Sequence, residues 1–310
     1  MLTPAIETRH VTRVFRRRGA EPVTALDDVS LRVDEGEVVA LLGENGAGKT
    51  TFTKILCTLL LPTSGDVEIF GFDVVRQARQ VRECSTAVFG GDRGLYGLLS
   101  ARENLRYFGA IDGIPARELK RRIPVVLETV GLAAAGDRRV EEYSKGMKQR
   151  LQIAVGFLAR PRLLLLDEPT VGLDPLESEH LRHMVAEIVA EGTTVLLTSH
   201  NLLDVERLAA RVVMIQHGRL TMDLPVTEFR ALAGYAGVAV ATLRPGATPD
   251  LLPGWTRTEA TDCVRVEVPV KQWDAEVLRQ VTDRLGADLV SLEIREASLD
   301  DAFARAIESS

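Results

Sequence analysis

The chain is poor in lysine. Of 38 basic residues in 310, only Lys49, Lys54, Lys120, Lys145, Lys148 and Lys271 are lysines; the rest are arginine. Against 44 acids this leaves a net charge of −6, the wrong sign for a phosphate-backbone binder, so no nucleic-acid partner is expected. Cysteine is scarce too. Cys57, Cys84 and Cys263 contain no CxxC pair and their odd number closes no disulfide set, which suits a reducing compartment. No apolar run reaches the ~18 residues a transmembrane helix needs. The start, MLTPAIETRHVTRVFRRRG, carries charge where an export signal needs an apolar core. Any membrane link is therefore expected to run through another chain. Arg16–Arg18 reads as a solvated turn, with contact to anionic lipid the alternative.

What is present is an alternation of short apolar strands and helical patterns, the mark of a layered α/β core. EVVALLG (37–43), LLLLDEP (163–169) and TTVLLTSH (193–200) read as buried strands. Leu181, Met184, Val185, Ile188 and Val189 recur at helical spacing between the last two. Residues from about 78 to 158 read as mainly helical, an inserted subdomain. VVMIQHGRLTMDL turns as a hairpin at His217–Gly218. Three parts are expected: a nucleotide-binding domain over 1–225, a linker over 226–237, and a small α/β appendage over 238–310. In the appendage CVRVEVPV and LVSLEIRE alternate as strands, WDAEVLRQVTDRLG is an amphipathic helix, and Ser298 and Asp301 have capping-box spacing.

GENGAGKT (43–50) matches G-x-x-x-x-G-K-[ST] between a predicted strand and a predicted helix. Glycines let backbone N–H groups wrap a phosphate, and the helix N-terminus adds positive partial charge. Gly43, Glu44, Asn45, Gly46, Ala47, Gly48, Lys49, Thr50 and Thr51 are therefore expected to bind a nucleoside triphosphate. Lys49 would reach the β- and γ-phosphates, and the Thr50 hydroxyl would hold Mg²⁺. Asp167 and Glu168 end the second strand at the edge where open α/β sheets gather ligands. Asp167 would hold Mg²⁺ and Glu168 would polarise the attacking water as a general base. His200 ends the third strand and reads either as a γ-phosphate contact or as a turn residue. Asp174 before Pro175 is a helix N-cap. His180 and His183 sit three apart without a visible third metal ligand.

YSKGMKQRLQIAVGFL (143–158) opens a helix at Ser144. The ordered series of P-loop, S-x-G-x-K-Q-R, LLLLDEP, GLD and TSH resembles the nucleotide-binding subunit of ATP-binding cassette (ABC) transporters over about residues 5–225. Tyr143, Lys145, Met147 and Lys148 depart from the family's LSGGQ signature; the SKGMKQR form is similar to that of exporters of drugs, antibiotics or polysaccharides, and the REASLDDAF tail to that of drug and antibiotic exporters. The resemblance implies a P-loop NTPase core with an antiparallel β part and a helical subdomain. It implies ATP hydrolysis with Mg²⁺ and head-to-tail pairing with a second ABC ATPase chain, as a homo- or heterodimer. Ser144 and Gly146 of one chain would then cap the γ-phosphate held by Lys49 of the other. His200 would be a switch histidine, Asp174 part of the loop coupling the two sites, and Phe15 an adenine platform, with a strand-core phenylalanine the alternative.

A separate transmembrane permease subunit would dock on Val88–Arg106 and the helical subdomain, placing the chain on the cytoplasmic face of the cell membrane. The appendage is expected to pack against the second copy. An importer ATPase, a soluble ABC ATPase and a non-hydrolysing regulatory cassette remain open as alternatives. In VFGGDRGLYGLL (88–99), the position where the family carries a metal-touching glutamine is Gly91. Asp92 beside it is the candidate replacement, through water, with backbone and solvent alone the alternative.

Overall fold

The computed structural model describes residues 3–16, 19, 21–90, 94–260, 262–271 and 275–308. It divides into two units, Met1–Leu224 and Pro225–Ser310. The first unit opens on an antiparallel sheet. Its strands are β1 (Ile6–Phe15) and β2 (Val23–Val33), then, past β3 (Val38–Leu42) and α1 (Lys49–Leu56), β4 (Ser64–Ile69) and β5 (Phe72–Asp73). They lie in the order β2-β1-β4-β5.

A second sheet carries the site. After α2 (Ala78–Cys84), β6 (Ser85–Phe89) enters it. The helices α3 (Ala101–Ile111), α4 (Ala116–Thr129) and α5 (Lys145–Leu158) follow, then β7 (Leu163–Asp167), α6 (Pro175–Ala190), β8 (Thr194–Thr198), α7 (Leu202–Leu208), β9 (Arg211–Gln216) and β10 (Arg219–Pro225). The order is β10-β9-β3-β8-β7-β6, and the β6–β7, β7–β8, β8–β3 and β3–β9 pairings are parallel. Because successive side chains alternate faces, Leu163 and Leu165 enter one hydrophobic core and Leu164 and Leu166 the other. That is why the strand reads as four leucines in a row: both of its faces are covered.

Within the mainly helical stretch expected from about residue 78 to 158, α2 is followed by one strand. STAVF (85–89) forms β6, pairing from Ser85↔Leu163 to Phe89↔Asp167 and completing the free edge of β7. The helical layer proper is α3, α4 and α5, packed through Leu105, Leu119, Ile123, Leu127, Leu151 and Leu158. Ser100 and Glu103 start α3 with a reciprocal capping box.

In the second unit the segment expected as a linker is ordered. Helix α8 (Val226–Ala231) buries Phe229 completely. Beyond it, β11 (Gly237–Leu243), β12 (Thr256–Glu259), β13 (Val264–Val270) and β14 (Leu289–Glu296) form an antiparallel sheet in the order β12-β13-β11-β14. Helix α9 (Ala275–Leu285) covers one face with Val281 and Leu285. Helix α10 (Leu299–Glu308) begins at the expected box, Asp301 N–H donating to Ser298 Oγ at 3.2 Å and Ser298 N–H to Asp301 Oδ2 at 2.9 Å. Arg305 Nη1 donates to Ala233 O at 2.7 Å, tying α10 to the end of the α8 segment. That bond, with Phe229, is why residues 226–236 belong to this unit. Among the described residues no helix is long and apolar enough to cross a membrane.

Leu165 is fully buried, whereas Leu176 is 67% exposed. Urea denaturation is expected to show Leu165→Ala losing about 2–5 kcal/mol and Leu176→Ala changing stability by less than about 0.5 kcal/mol. Equal effects would contradict the two-faced core.

Candidate functional site

The phosphate loop joins β3 to α1. Gly46 (φ 86°) and Gly48 (φ 114°) hold the left-handed conformation that glycine adopts without penalty. A Cβ at Gly48 would stand 2.5 Å from Ala25 O, whereas at Gly46 it would meet nothing within 4 Å, so the loop is tight beneath and open above. No side chain caps α1, which leaves its first N–H groups for an anion. Lys49 is 6% exposed, and its Nζ donates to Gly43 O at 2.6 Å and Glu44 O at 3.2 Å. It also lies 3.6 Å from Glu168 Oε1.

Strand β7 delivers both acids to this point. Asp167 is buried, with Oδ2 accepting from Thr50 Oγ1 at 2.9 Å and Oδ1 from Thr198 Oγ1 at 2.6 Å. Thr198 was not singled out from the sequence; the available signal was a polar residue closing an apolar strand directly before Ser-His. The same threonine fixes Glu168, whose N–H donates to Thr198 O at 3.0 Å and to Oγ1 at 3.1 Å. Glu168 has φ 53°, a left-handed backbone that costs a non-glycine residue about 1–3 kcal/mol and persists because its neighbours hold it.

The Glu168 carboxylate meets His200, with Oε2 2.6 Å from Nδ1 and accepting the His200 backbone N–H at 3.2 Å. The contact engages Nδ1 and leaves Nε2 as the ring nitrogen open to other partners. Burial pushes the Cys57 thiol, just past α1, up to about 11, with the Asp167 charge acting in the same direction, so it is an inert thiol.

The remaining candidates fall into separate places. Ser144 caps α5 by accepting from Met147 N–H at 3.1 Å, and its hydroxyl donates to Glu177 Oε1 at 3.4 Å. A Cβ at Gly146 would stand 2.5 Å from the Glu177 carboxyl, so a larger residue there would have to displace that acid. Glu177 also pairs with Arg150 (3.3 Å) and donates its backbone N–H to Asp174 Oδ1 at 2.8 Å, which makes Asp174 the N-cap of α6. The sequence reading missed Glu177, because in sequence it is one polar residue on the first turn of a helix. Ser144, Gly146 and Asp174 therefore form a second cluster through Glu177.

Phe15 is 40% exposed rather than part of a strand core, and the Arg13 guanidinium lies 4.6 Å from its ring centroid. Gly91 and Asp92 lie outside the described residues; Gly90, at the end of β6, donates its N–H to Asp167 O at 2.9 Å. A cleft of about 800 Å³ adjoins it, lined by Thr50 and Asp167 at one end and by Val88, Leu95, Phe108 and Val155 elsewhere. His183 faces Glu179 at 3.4 Å, and among the described residues no three His, Cys, Asp or Glu side chains group as a metal cluster.

The geometry is that of a nucleotide-binding P-loop core, and comparison with known proteins agrees. The ABC transporter family profile matches residues 26–171. The chain is 35% identical over 304 residues to the doxorubicin resistance ATP-binding protein DrrA of Mycobacterium tuberculosis, covering 94% of this chain and 91% of that one. It resembles a solved ATP-binding subunit of an ABC transporter with TM-score 0.63 and 31% identity, over 73% of this chain and 92% of the other. A dimeric bacterial ABC transporter cassette gives TM-score 0.64 at 25% identity, over 71% of this chain and 98% of the other. With its phosphate loop, its acid pair and a relative matched along nearly its whole length, the chain belongs to the ATP-binding, ATP-hydrolysing subunits of ABC transporters.

Proposed function

We propose that this chain powers export of a drug, an antibiotic or another amphipathic compound through a separate membrane-spanning permease. The observation that carries the hydrolytic half is the convergence of Lys49, Thr50, Asp167, Glu168 and His200 at the carboxyl ends of β3, β7 and β8. Support for the export half is the match to a doxorubicin resistance ATP-binding protein, which extends through the second unit as well as the first.

The residues fit ATP. The loop is open above Gly46, α1 presents an uncapped N-terminus, and the Lys49 ammonium sits among loop carbonyls within reach of both. They also fit Mg²⁺: Thr50 Oγ1 and Asp167 Oδ2 are paired hard oxygen donors. Bound there, Mg²⁺ would neutralise charge on the β- and γ-phosphate oxygens. Lys49 holds the γ-phosphate. Glu168 takes a proton from water as the water oxygen attacks the γ-phosphorus and ADP departs. His200, held by Glu168 at Nδ1, presents Nε2 to the γ-phosphate and orients the water. Phe15, its ring backed by Arg13, offers its other face to adenine.

Ser144 and Gly146 belong to the other cluster, and we assign them to the γ-phosphate of a second ABC ATPase chain, identical or not. An anion site at the start of α5 is completed only when that phosphate arrives. Asp174 and Glu177 connect this site to α6. Asp92 supplies a water-mediated oxygen where the glutamine position is Gly91. The chain sits at the cytoplasmic face of the membrane through the permease, which docks at Val88–Arg106 and the helical layer, beside the 800 Å³ cleft.

Steady-state and single-turnover ATPase assays test the reading. Glu168→Gln is expected to lower turnover about 10²–10⁴-fold with ATP affinity nearly unchanged, whereas Lys49→Ala is expected to weaken ATP binding itself. Wild-type phosphate release by Glu168→Gln would overturn the assignment. Asp92→Asn is expected to raise the Mg²⁺ concentration needed for half-maximal turnover; an unchanged metal dependence would remove Asp92 from the site. Phe15→Ala is expected to raise KM for ATP with kcat retained, and equal KM values would dismiss the adenine platform.

A further inference from the structure

Asp204 on α7 is fully buried and belongs to no motif described above. Its carboxylate accepts hydrogen bonds from three other places in the first unit. Arg182 Nη1 of α6 donates to Oδ1 at 2.8 Å, Thr170 Oγ1 to Oδ2 at 2.5 Å, and Ser199 Oγ to Oδ2 at 3.1 Å. Two of those partners flank the catalytic pair. Thr170 lies two residues beyond Glu168, and Ser199 immediately precedes His200. Ser199 Oγ also lies 3.2 Å from Asn201 O, and of these two acceptors for its single proton the anionic Asp204 is the stronger.

A packing role explains this poorly. Well-packed apolar side chains commonly replace a buried ion pair without loss of stability, and nothing in packing requires the partners to sit beside Glu168 and His200. The Glu168–His200 contact of 2.6 Å joins two loops that leave separate strands, one of them with Glu168 in a left-handed backbone. A fixed anion bonded to both loops sets the distance between them.

We propose that Asp204 is a positioning residue for ATP hydrolysis. It ties the Thr170 loop to the Ser199 loop and so holds the Glu168 carboxylate and the His200 ring at the spacing in which they act together. Arg182, itself 6% exposed and bonded to Glu179 through Nε and Nη2, neutralises Asp204 and anchors the tie to α6. The inference rests on the roles given to Glu168 and His200 above.

The test uses the full chain with ATP and Mg²⁺ and leaves Asp204 in place, removing its donors instead. Thr170→Val and Ser199→Ala, singly and together, are expected to lower kcat about 10- to 100-fold, the cost of a small misplacement of reacting groups. KM for ATP and the thermal midpoint should stay near wild type, and Thr170→Ser should restore kcat. In a His200→Ala background Thr170→Val is expected to cost less than about twofold, because residues acting as a unit are not additive. A double variant that folds and turns over like wild type would overturn the proposal. So would a fall in kcat that tracks lost folded protein and adds in full to His200→Ala, since that marks a structural role only. Glu168→Gln measured alongside separates the two failures. If it turns over normally, the roles of the pair are wrong; if it is inactive while the Thr170 and Ser199 variants are unaffected, only the tie is wrong.

Discussion

The site depends on the register between β7 and β8. Pairing Asp167 with Thr198 across parallel strands brings a hydroxyl to one carboxylate oxygen of Asp167 while Thr50 of α1 takes the other. The same threonine then accepts the Glu168 N–H through both its carbonyl and its hydroxyl oxygen. One β-branched residue thus joins the phosphate loop, the acid pair and the turn that carries His200. A slip of one residue would turn every side chain of the strand to the opposite face and carry the Asp167 carboxylate away from Thr50 and Thr198.

Around this joint the first unit is a parallel sheet with its chemistry along one edge, a helical layer of α3 to α5, and a flanking antiparallel sheet. The second unit is a small antiparallel sheet with helices, closed by α10 and α8. In the proposed reading the first unit holds two incomplete halves of a phosphate site. Lys49, Thr50, Asp167, Glu168 and His200 would make one, and Ser144 and Gly146 the other, with Glu177 joining it to α6. In the proposed head-to-tail pairing with a second ABC ATPase chain, each half would meet its complement on the other chain.

Much of this was legible in the residues. Motifs whose chemistry fixes both residue type and spacing, the phosphate loop and the acid pair at the end of LLLLD, could be placed in the fold from the residues because each is set by one local turn. The mainly helical stretch from about 78 to 158 is interrupted by one strand, whose extent the residues left open: STAVF is too short for periodicity to separate strand from helix, and it completes the free edge of β7. LPVTEFRALAG reads as a short connecting helix, and α8 lies there, but which unit it belongs to shows only once the burial of Phe229 is seen. Thr198, Glu177 and Asp204 were illegible for one shared reason. Each acts through partners distant in sequence, and a lone polar residue at a strand end or on a helix carries no local sign of what it will touch.

The central claim is that one hydrolytic site is built from the Lys49 half of one chain and the Ser144 half of another, and mixing two disabled chains tests it most directly. Lys49→Ala and Ser144→Arg chains should each be inactive alone. Combined in equal amounts they should recover about a quarter of wild-type turnover, since half the dimers are mixed and each mixed dimer has one intact site. No recovery on mixing, with both chains folded and dimeric, or full activity of Ser144→Arg alone, would contradict the account.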